Sequence, residues 1–88
     1  METVWITPSG DISPTKPEDG KEFTLEELQG YVGGYIELIY LRDGRIMVVN
    51  EEGKLDELPL NSTATEIYGN QNDYVVGNVL VTDPKYIN

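Results

Sequence analysis

The chain has 88 residues, including 16 acidic and six basic side chains, a formal net charge of −10, and neither cysteine nor histidine. Its length predicts one domain, residues 1–88. The missing residue types exclude disulfides, a thiolate nucleophile, the usual zinc sites and a histidine-based catalytic triad. The negative charge opposes direct binding to nucleic acids and to anionic membranes, since both need basic surfaces.

The first residues lack the basic start and apolar segment of a signal peptide, and no apolar run approaches the roughly 18 residues that a membrane span requires. We therefore expect a cytoplasmic protein. A first strand is predicted at residues 4–7 (VWIT), before a Pro-Ser-Gly stop. Residues 10–22 contain two prolines, two glycines and four acids, a composition that predicts a long loop.

A helix follows, with clear signals at its start. Thr24 stands at the N-cap, and Glu27 can close a capping box with it. Phe23 can pack on Leu28 as a hydrophobic staple. A pair of glycines after Val32 is expected to end the helix.

The next stretch predicts a β-hairpin with strands at residues 35–41 and 45–50 and a two-residue turn at Asp43 and Gly44. In a type I′ turn, Arg42 would face Arg45, and the other pairs follow by counting outward. One face would then carry Leu41, Ile46, Ile39, Val48, Glu37 and Asn50. The other would carry Tyr40, Met47, Leu38, Val49, Ile36 and Glu51. Both faces are apolar at their centres, whereas a hairpin that packs against one core needs only one apolar face.

The rest of the chain alternates connections with short elements. In order, these are a charged connection at residues 51–59, a short helix capped by Asn61, Ser62 or Thr63 and ending at Tyr68, a strand at residues 74–82 and a tail at residues 84–88.

The predicted order is β-α-β-β-α-β, which indicates an α+β fold of the ferredoxin-like, split-βαβ type. That fold has a four-stranded, mainly antiparallel sheet with both short helices on one face, so its second face is open. The surplus apolar face of the hairpin needs a cover, and we expect a homodimer, a higher homo-oligomer or a partner protein. The predicted interface consists of Ile36, Leu38, Tyr40, Met47 and Val49.

Several residues are candidates for binding a ligand, and each also has a purely structural interpretation. Gly33 and Gly34, with Tyr35, could let the backbone approach a ligand, or could simply end the helix. Glu37 and Asn50 would be direct neighbours able to orient a polar group, or a solvated pair at the strand ends.

Basic side chains give a second set of candidates. Arg42 and Arg45 could hold a phosphate, a carboxylate or Asp43 between them, or could be two solvated arginines. The acids at positions 51, 52, 56 and 57 match no calcium loop. We expect no metal and no cofactor. Because no nucleophile with a positioned base is visible, we also expect no catalytic residues and no enzyme.

The segments VGGYIE, VNEEGKL, LPxN and VVGNVLV, in that order, resemble an uncharacterised family of small domains encoded mainly by bacteriophages and mobile elements. The resemblance covers roughly residues 23–82. It implies a phage origin and assigns no activity. Members often carry a glycine before the Leu-Pro, where this chain has Glu57. The motif positions are Gly33, Gly34, Tyr35, Glu37, Asn50, Glu51, Gly53, Lys54, Pro59 and Asn61.

From these features we expect a non-enzymatic phage protein that interferes with a host defence factor in the bacterial cytoplasm. One mechanism is the sequestration of a nucleotide-type signal by Gly33, Gly34, Tyr35, Glu37, Asn50 and Asn61, with Arg42, Arg45 or Lys54 on its phosphate. A second is an acidic surface that mimics DNA and blocks a nuclease or restriction enzyme. A third class is a structural module that binds a phage or host protein.

Overall fold

A five-stranded antiparallel sheet is the centre of the fold in residues 2–87, the part of the chain that the computed structural model describes. The strand order is β2-β1-β5-β4-β3. The elements are β1 (Thr3–Ile6), β2 (Ile12–Thr15), α1 (Leu25–Val32), β3 (Ile36–Tyr40), β4 (Ile46–Asn50), α2 (Ser62–Tyr68), β5 (Val79–Thr82) and a 3₁₀ turn (Pro84–Tyr86). The predicted α+β class is confirmed.

The strand β2 lies inside the segment that composition predicted to be a loop. It pairs antiparallel with β1, with Val4 opposite Pro14. Proline is tolerated because β2 is an edge strand, where the missing N–H faces no neighbour. The mostly exposed side chains of β2 explain why no apolar alternation marked it. The sheet therefore has five strands where four were predicted.

The two helices lie on opposite faces of the sheet, which differs from the ferredoxin-like arrangement predicted above. On one face, α1 packs on Ile46, Val48 and Leu80. On the other, Ala64 of α2 joins a cluster with Val79 and Val81. Neighbours in β5 alternate between these two clusters, as they must in a strand. The split-βαβ topology is also absent, because β5 separates β1 from β4 and is antiparallel to both.

The hairpin register differs by one residue from the prediction. The loop has three residues, Arg42, Asp43 and Gly44, and is closed by a bond of 2.9 Å from the Leu41 N–H to the Arg45 carbonyl. Gly44 has φ of 92°, as a three-residue hairpin loop with a bulge requires. Because side chains alternate, a slip of one residue exchanges the faces of one strand relative to the other.

This slip overturns two predicted pairs. Glu37 lies opposite Val49, and Asn50 lies opposite Ile36, so the expected Glu37–Asn50 pair does not exist. Arg45 lies opposite Leu41, whereas the prediction placed it opposite Arg42. Asp43 accepts a hydrogen bond from Arg45 Nε at 2.8 Å.

Both faces of the hairpin are apolar because each face has its own helix. Met47 and Val49 are buried on the α2 side, whereas Ile36 and Leu38 pack partly against the α1 side. Tyr40 is 74% exposed at the sheet edge. The five residues predicted as one interface are therefore divided between two faces, and the open apolar face that motivated self-association is not found among the described residues.

Local signals placed both helices correctly. Thr24 and Glu27 form the predicted capping box of α1, and Asn61 caps α2 through a bond from the Ala64 N–H to Oδ1 of 3.0 Å. The predicted tail is packed as far as Ile87: Phe23 donates to the Tyr86 carbonyl at 2.9 Å. Asn88 lies outside the described residues. None of the helices in residues 2–87 has the length and apolar character needed to cross a membrane.

Candidate functional site

A cleft of about 400 Å³ opens where the hairpin loop approaches the end of α2. We call it the hairpin-tip cleft. Its volume falls in the range of small-molecule sites, roughly 300–1,000 Å³. The lining residues come from two segments and are Tyr40, Leu41 and Arg42 on one side, and Tyr68, Gly69, Asn70, Gln71 and Asn72 on the other.

The second wall of this cleft is a turn held by its own amides. The helix α2 ends at Gly69, whose N–H donates to the Thr65 carbonyl at 3.1 Å. Asn70 Oδ1 then accepts from the Asn72 N–H at 2.9 Å, and Asn70 Nδ2 donates to the Tyr68 hydroxyl at 3.3 Å. These bonds give a polar, uncharged wall with a fixed backbone.

The hairpin-tip cleft has a different charge from its neighbours. Arg42 is exposed and makes no ion pair with any described residue, and no acidic residue lines the cleft. Four other clefts in residues 2–87 each include at least two acidic residues in their lining. In a chain of net charge −10, this cleft is therefore the most favourable of the five for an anion.

The other hairpin arginine is already neutralised. Asp43 accepts from the Arg45 N–H at 3.0 Å and from Arg45 Nε at 2.8 Å. The backbone bond, followed by the side-chain bond, holds the pKa of Asp43 below its ordinary value. Arg42 is thus the arginine available to a ligand.

Lys54 lines a second, smaller cleft of about 190 Å³ on the α2 side. Its ammonium bonds to Asp73 and lies 4.4 Å from the centre of the Tyr74 ring. The bond to Asp73 raises the pKa of Lys54, and the same bond, followed by one from the Tyr74 N–H, lowers the pKa of Asp73. Glu37 and Glu51 also line the cleft. Three carboxylates against one ammonium disfavour a phosphate here.

The glycine pair has a structural role. Gly33 adopts φ of 79° and ends α1, and a Cβ on Gly34 would lie 2.9 Å from Asn50 Nδ2. That amide donates to the Val32 carbonyl at 3.2 Å, so Gly34 gives Asn50 the room to reach the helix end. With Tyr35 these residues line a third cleft, whose acids are Glu52 and Asp56.

The predicted ligand residues are therefore distributed over separate places. Asn61 is fully buried and bonds to the Ile6 and Gly77 carbonyls, which makes it a core residue. Only Arg42 reaches the hairpin-tip cleft, together with Tyr40, which was predicted to be an interface residue.

Sequence reasoning missed the amide wall of the cleft. The signal that could have found it is the run YGNQN, which carries three amides and no charge in a chain whose side chains are 25% charged. Turn propensity explained those residues without reference to a ligand.

Metal binding has no evident site in the described residues. Between residues 2 and 87, no group of three or more Asp, Glu, His or Cys side chains is placed to hold an ion.

Comparison with protein families gives a match over nearly the whole chain. A family model described as "Domain of unknown function (DUF3846)" matches residues 4–86. Neither the curated proteins nor the solved structures contain a significant match to the chain.

Proposed function

Since the chain belongs to the DUF3846 family, whose description assigns no function, we propose from its own geometry that it is a non-enzymatic binding protein. Its ligand is an anionic, nucleotide-type molecule, and the hairpin-tip cleft is the binding site. The observation that carries this proposal is an unpaired arginine near Tyr68 in a cleft without acidic residues.

Each group in this cleft suits one part of a nucleotide. The guanidinium of Arg42 can bond a phosphate in a bidentate manner. The ring of Tyr68 offers a stacking surface for a base. The amides of Gln71 and Asn72 can pair with the donors and acceptors on a base edge.

The biological role that we propose is sequestration. A phage protein that holds a nucleotide signal lowers its free concentration and so blunts the host defence that the signal activates. This part of the proposal draws on the sequence resemblance to phage-encoded domains, and it places the protein in the cytoplasm of an infected bacterium.

The test is thermal unfolding with a panel of cyclic mononucleotides and dinucleotides. A true ligand at about 100 times its Kd stabilises the folded state by about 2.7 kcal/mol. We expect Arg42→Gln to weaken binding by at least about tenfold, because it removes a charge-assisted hydrogen bond of about 1.5–3 kcal/mol.

Lys54→Gln is the matched control, since it also removes one positive charge but lies in the second cleft. It should leave the affinity nearly unchanged. Equal weakening by both substitutions would mean that only the overall charge matters and would contradict this site. So would the absence of any thermal shift across the panel.

A second candidate function is DNA mimicry, and the surroundings of α1 favour it. Five acids, Glu18, Asp19, Glu22, Glu26 and Glu27, lie within ten residues of chain. Two of them have local roles: Glu27 accepts from the Thr24 and Glu18 N–H groups, and Asp19 from the Lys21 and Glu22 N–H groups.

The mimic is tested with variants that keep those local bonds. The double variant Glu22→Gln, Glu26→Gln removes two charges without touching the capping box. If the surface mimics DNA, inhibition of a sensitive restriction nuclease should fall steeply as the salt concentration rises. The double variant should show a weaker dependence of inhibition on salt. Unchanged inhibition would rule out this surface.

A further inference from the structure

The outer edge of β3 carries backbone groups that no strand satisfies in the described part of the chain. β3 is the last strand in the sheet and pairs only with β4. The Tyr35 carbonyl and the Leu41 N–H bond to the β4 side, so the odd-numbered residues face β4. By alternation, the N–H and C=O groups of Ile36, Leu38 and Tyr40 point outward.

Apart from the charge of Glu37, this edge lacks the usual protection against pairing. The opposite edge strand, β2, has four mostly exposed residues, one of which is Pro14. β3 has no proline, no lysine and an uninterrupted register with β4. Natural proteins normally protect exposed edges with prolines, lysines or bulges, because a free edge accepts an additional strand.

An apolar groove runs beside the same edge on the α1 face. Its volume is about 420 Å³, and its apolar lining residues are Phe23, Leu25, Leu28, Ile36, Leu38 and Ile87. Leu25 is 58% exposed. Two acids, Asp19 and Glu22, also line the groove. On the other face of β3, the exposed side chain is Glu37.

We propose that this edge docks an extended segment of another protein as an antiparallel sixth strand, in which apolar and basic residues alternate. Residues opposite Ile36, Leu38 and Tyr40 would share their face and place apolar side chains along the groove. The intervening residues would face Glu37. Affinity would come from main-chain hydrogen bonds, and specificity from the alternating side chains.

Charge decides between the possible occupants. The basic residues of the docked strand would lie on the Glu37 face and complement that carboxylate, whereas a second copy would bring a further net charge of −10 to the same edge. Repulsion between two such chains opposes self-pairing at low salt. A basic segment of a different protein is therefore the occupant that the surface fits.

The first test uses a fluorescent peptide of alternating valine and lysine, about seven residues long, and measures its anisotropy on the full chain. Two comparison peptides are a glutamate-for-lysine version and one with the same residues in two blocks. We expect the alternating basic peptide to bind at least about tenfold more tightly than either, because only it satisfies both the edge and the charges.

Backbone methylation distinguishes a docked strand from a merely sticky peptide. In the proposed register, the valine N–H groups bond to β3 and the lysine N–H groups face away. Methylating the valine nitrogens should weaken binding by about tenfold or more, whereas methylating the lysine nitrogens should have little effect. Equal effects, or the reverse order, would overturn the proposal.

Protein variants complete the test. Glu37→Lys should weaken binding about fivefold, while Asp11→Lys changes the net charge equally at the opposite edge and should not. Leu38→Pro removes an outward N–H and should abolish binding if its unfolding curve shows a folded protein. If that variant does not fold, Glu37→Lys and the methylated peptides still decide the question.

Two results would overturn the proposal outright. One is the absence of measurable binding to the alternating basic peptide. The other is a dimer in sedimentation experiments that Glu37→Lys or Leu38→Pro alters, since the edge would then belong to a second copy.

Discussion

At the scale of single residues, the side chain of Asn61 joins three parts of the fold, whereas the only structural role that the sequence indicated for it was a helix cap. Its Oδ1 caps α2, and its Nδ2 donates to the Ile6 carbonyl at 3.2 Å and the Gly77 carbonyl at 2.9 Å. The side chain is fully buried. It therefore joins the end of β1, the start of α2 and the approach to β5 through one amide.

Asn61→Ala should destabilise the fold by about 2–4 kcal/mol, because it removes a helix cap and leaves two buried carbonyls without a donor. Thr24→Ala is the matched control. It removes the exposed cap of α1 and should cost about 1 kcal/mol. Urea unfolding measures both, and equal losses would show that the bonds to the two carbonyls contribute little.

Glu57 is a second residue whose environment was not evident. It has φ of 55°, the left-handed region, without being glycine. Glycine adopts this backbone conformation without strain, because it has no Cβ. A side chain in that region costs about 1 kcal/mol or more.

Glu57→Gly should therefore stabilise the protein, by about 0.5 kcal/mol once the greater freedom of the unfolded chain is subtracted. Glu57→Gln keeps the strained backbone and removes only the charge, so it separates the two effects. A destabilising Glu57→Gly substitution in thermal unfolding would contradict this explanation.

At the scale of elements, the hairpin shows how a turn sets the position of a whole strand. Three loop residues in place of two moved the register by one and reversed the faces of β4 relative to β3. Gly44 enables this loop through its positive φ. The cost of a substitution there measures how strongly the loop is specified.

Gly44→Ala should cost about 1–2 kcal/mol, because a side chain is strained at a φ of 92°. Gly30→Ala is the same substitution in the interior of α1, where a Cβ meets no atom within 4 Å. It should stabilise the helix by about 0.5–1 kcal/mol. We therefore predict that the two substitutions change the free energy of unfolding in opposite directions, which denaturant unfolding measures.

The capping box gives α1 a pH dependence. Bonds from the Thr24 and Glu18 N–H groups hold the pKa of Glu27 below its ordinary value of 4.5. A carboxyl with a lowered folded-state pKa stabilises fully above the unfolded value and loses that contribution as pH falls through the folded value.

We therefore expect Glu27→Gln to destabilise the protein at pH 7. The gap between the unfolding free energies of the variant and the parent chain should close as the pH falls below about 4.5. Unfolding curves over that range measure the gap. Glu26→Gln, on the exposed side of the same helical turn, is the matched control, since it removes one carboxylate without touching the capping box. A gap that stays constant with pH would contradict the role of the Glu27 charge.

At the scale of the whole molecule, sixteen acids against six bases create net self-repulsion. Raising the salt from about 10 mM to 1 M shortens the Debye length from about 30 to 3 Å. We expect the folded state to gain about 1 kcal/mol, seen as a rise in Tm of about 4–8 °C. A falling Tm would show that local ion pairs outweigh the overall charge.

The arrangement of the whole fold also removes the reason for which self-association was expected. Each sheet face has its own helix, so the predicted homodimer no longer follows from an uncovered face. Of the two sheet edges in the described residues, the outer edge of β3 is the one without a proline, and the experiments on that edge decide between a copy and a partner.

The sequence by itself determined what depends on neighbours along the chain. Thr24 with Glu27, Asn61 with Ala64, and the apolar runs of β3 and β4 all act within a few residues, so both helices and four of the strands could be predicted. The strand β2 could not, because its exposed residues become a strand only by pairing with β1.

Tertiary structure decided which faces those elements present. The register of the hairpin, the placement of the helices on opposite sides and the meeting of Arg42 with the YGNQN turn depend on contacts between distant segments. A single extra loop residue exchanges the faces of a strand. Local pattern cannot fix such choices, because several registers and layer orders bury the same apolar residues, and only the complete set of contacts distinguishes them.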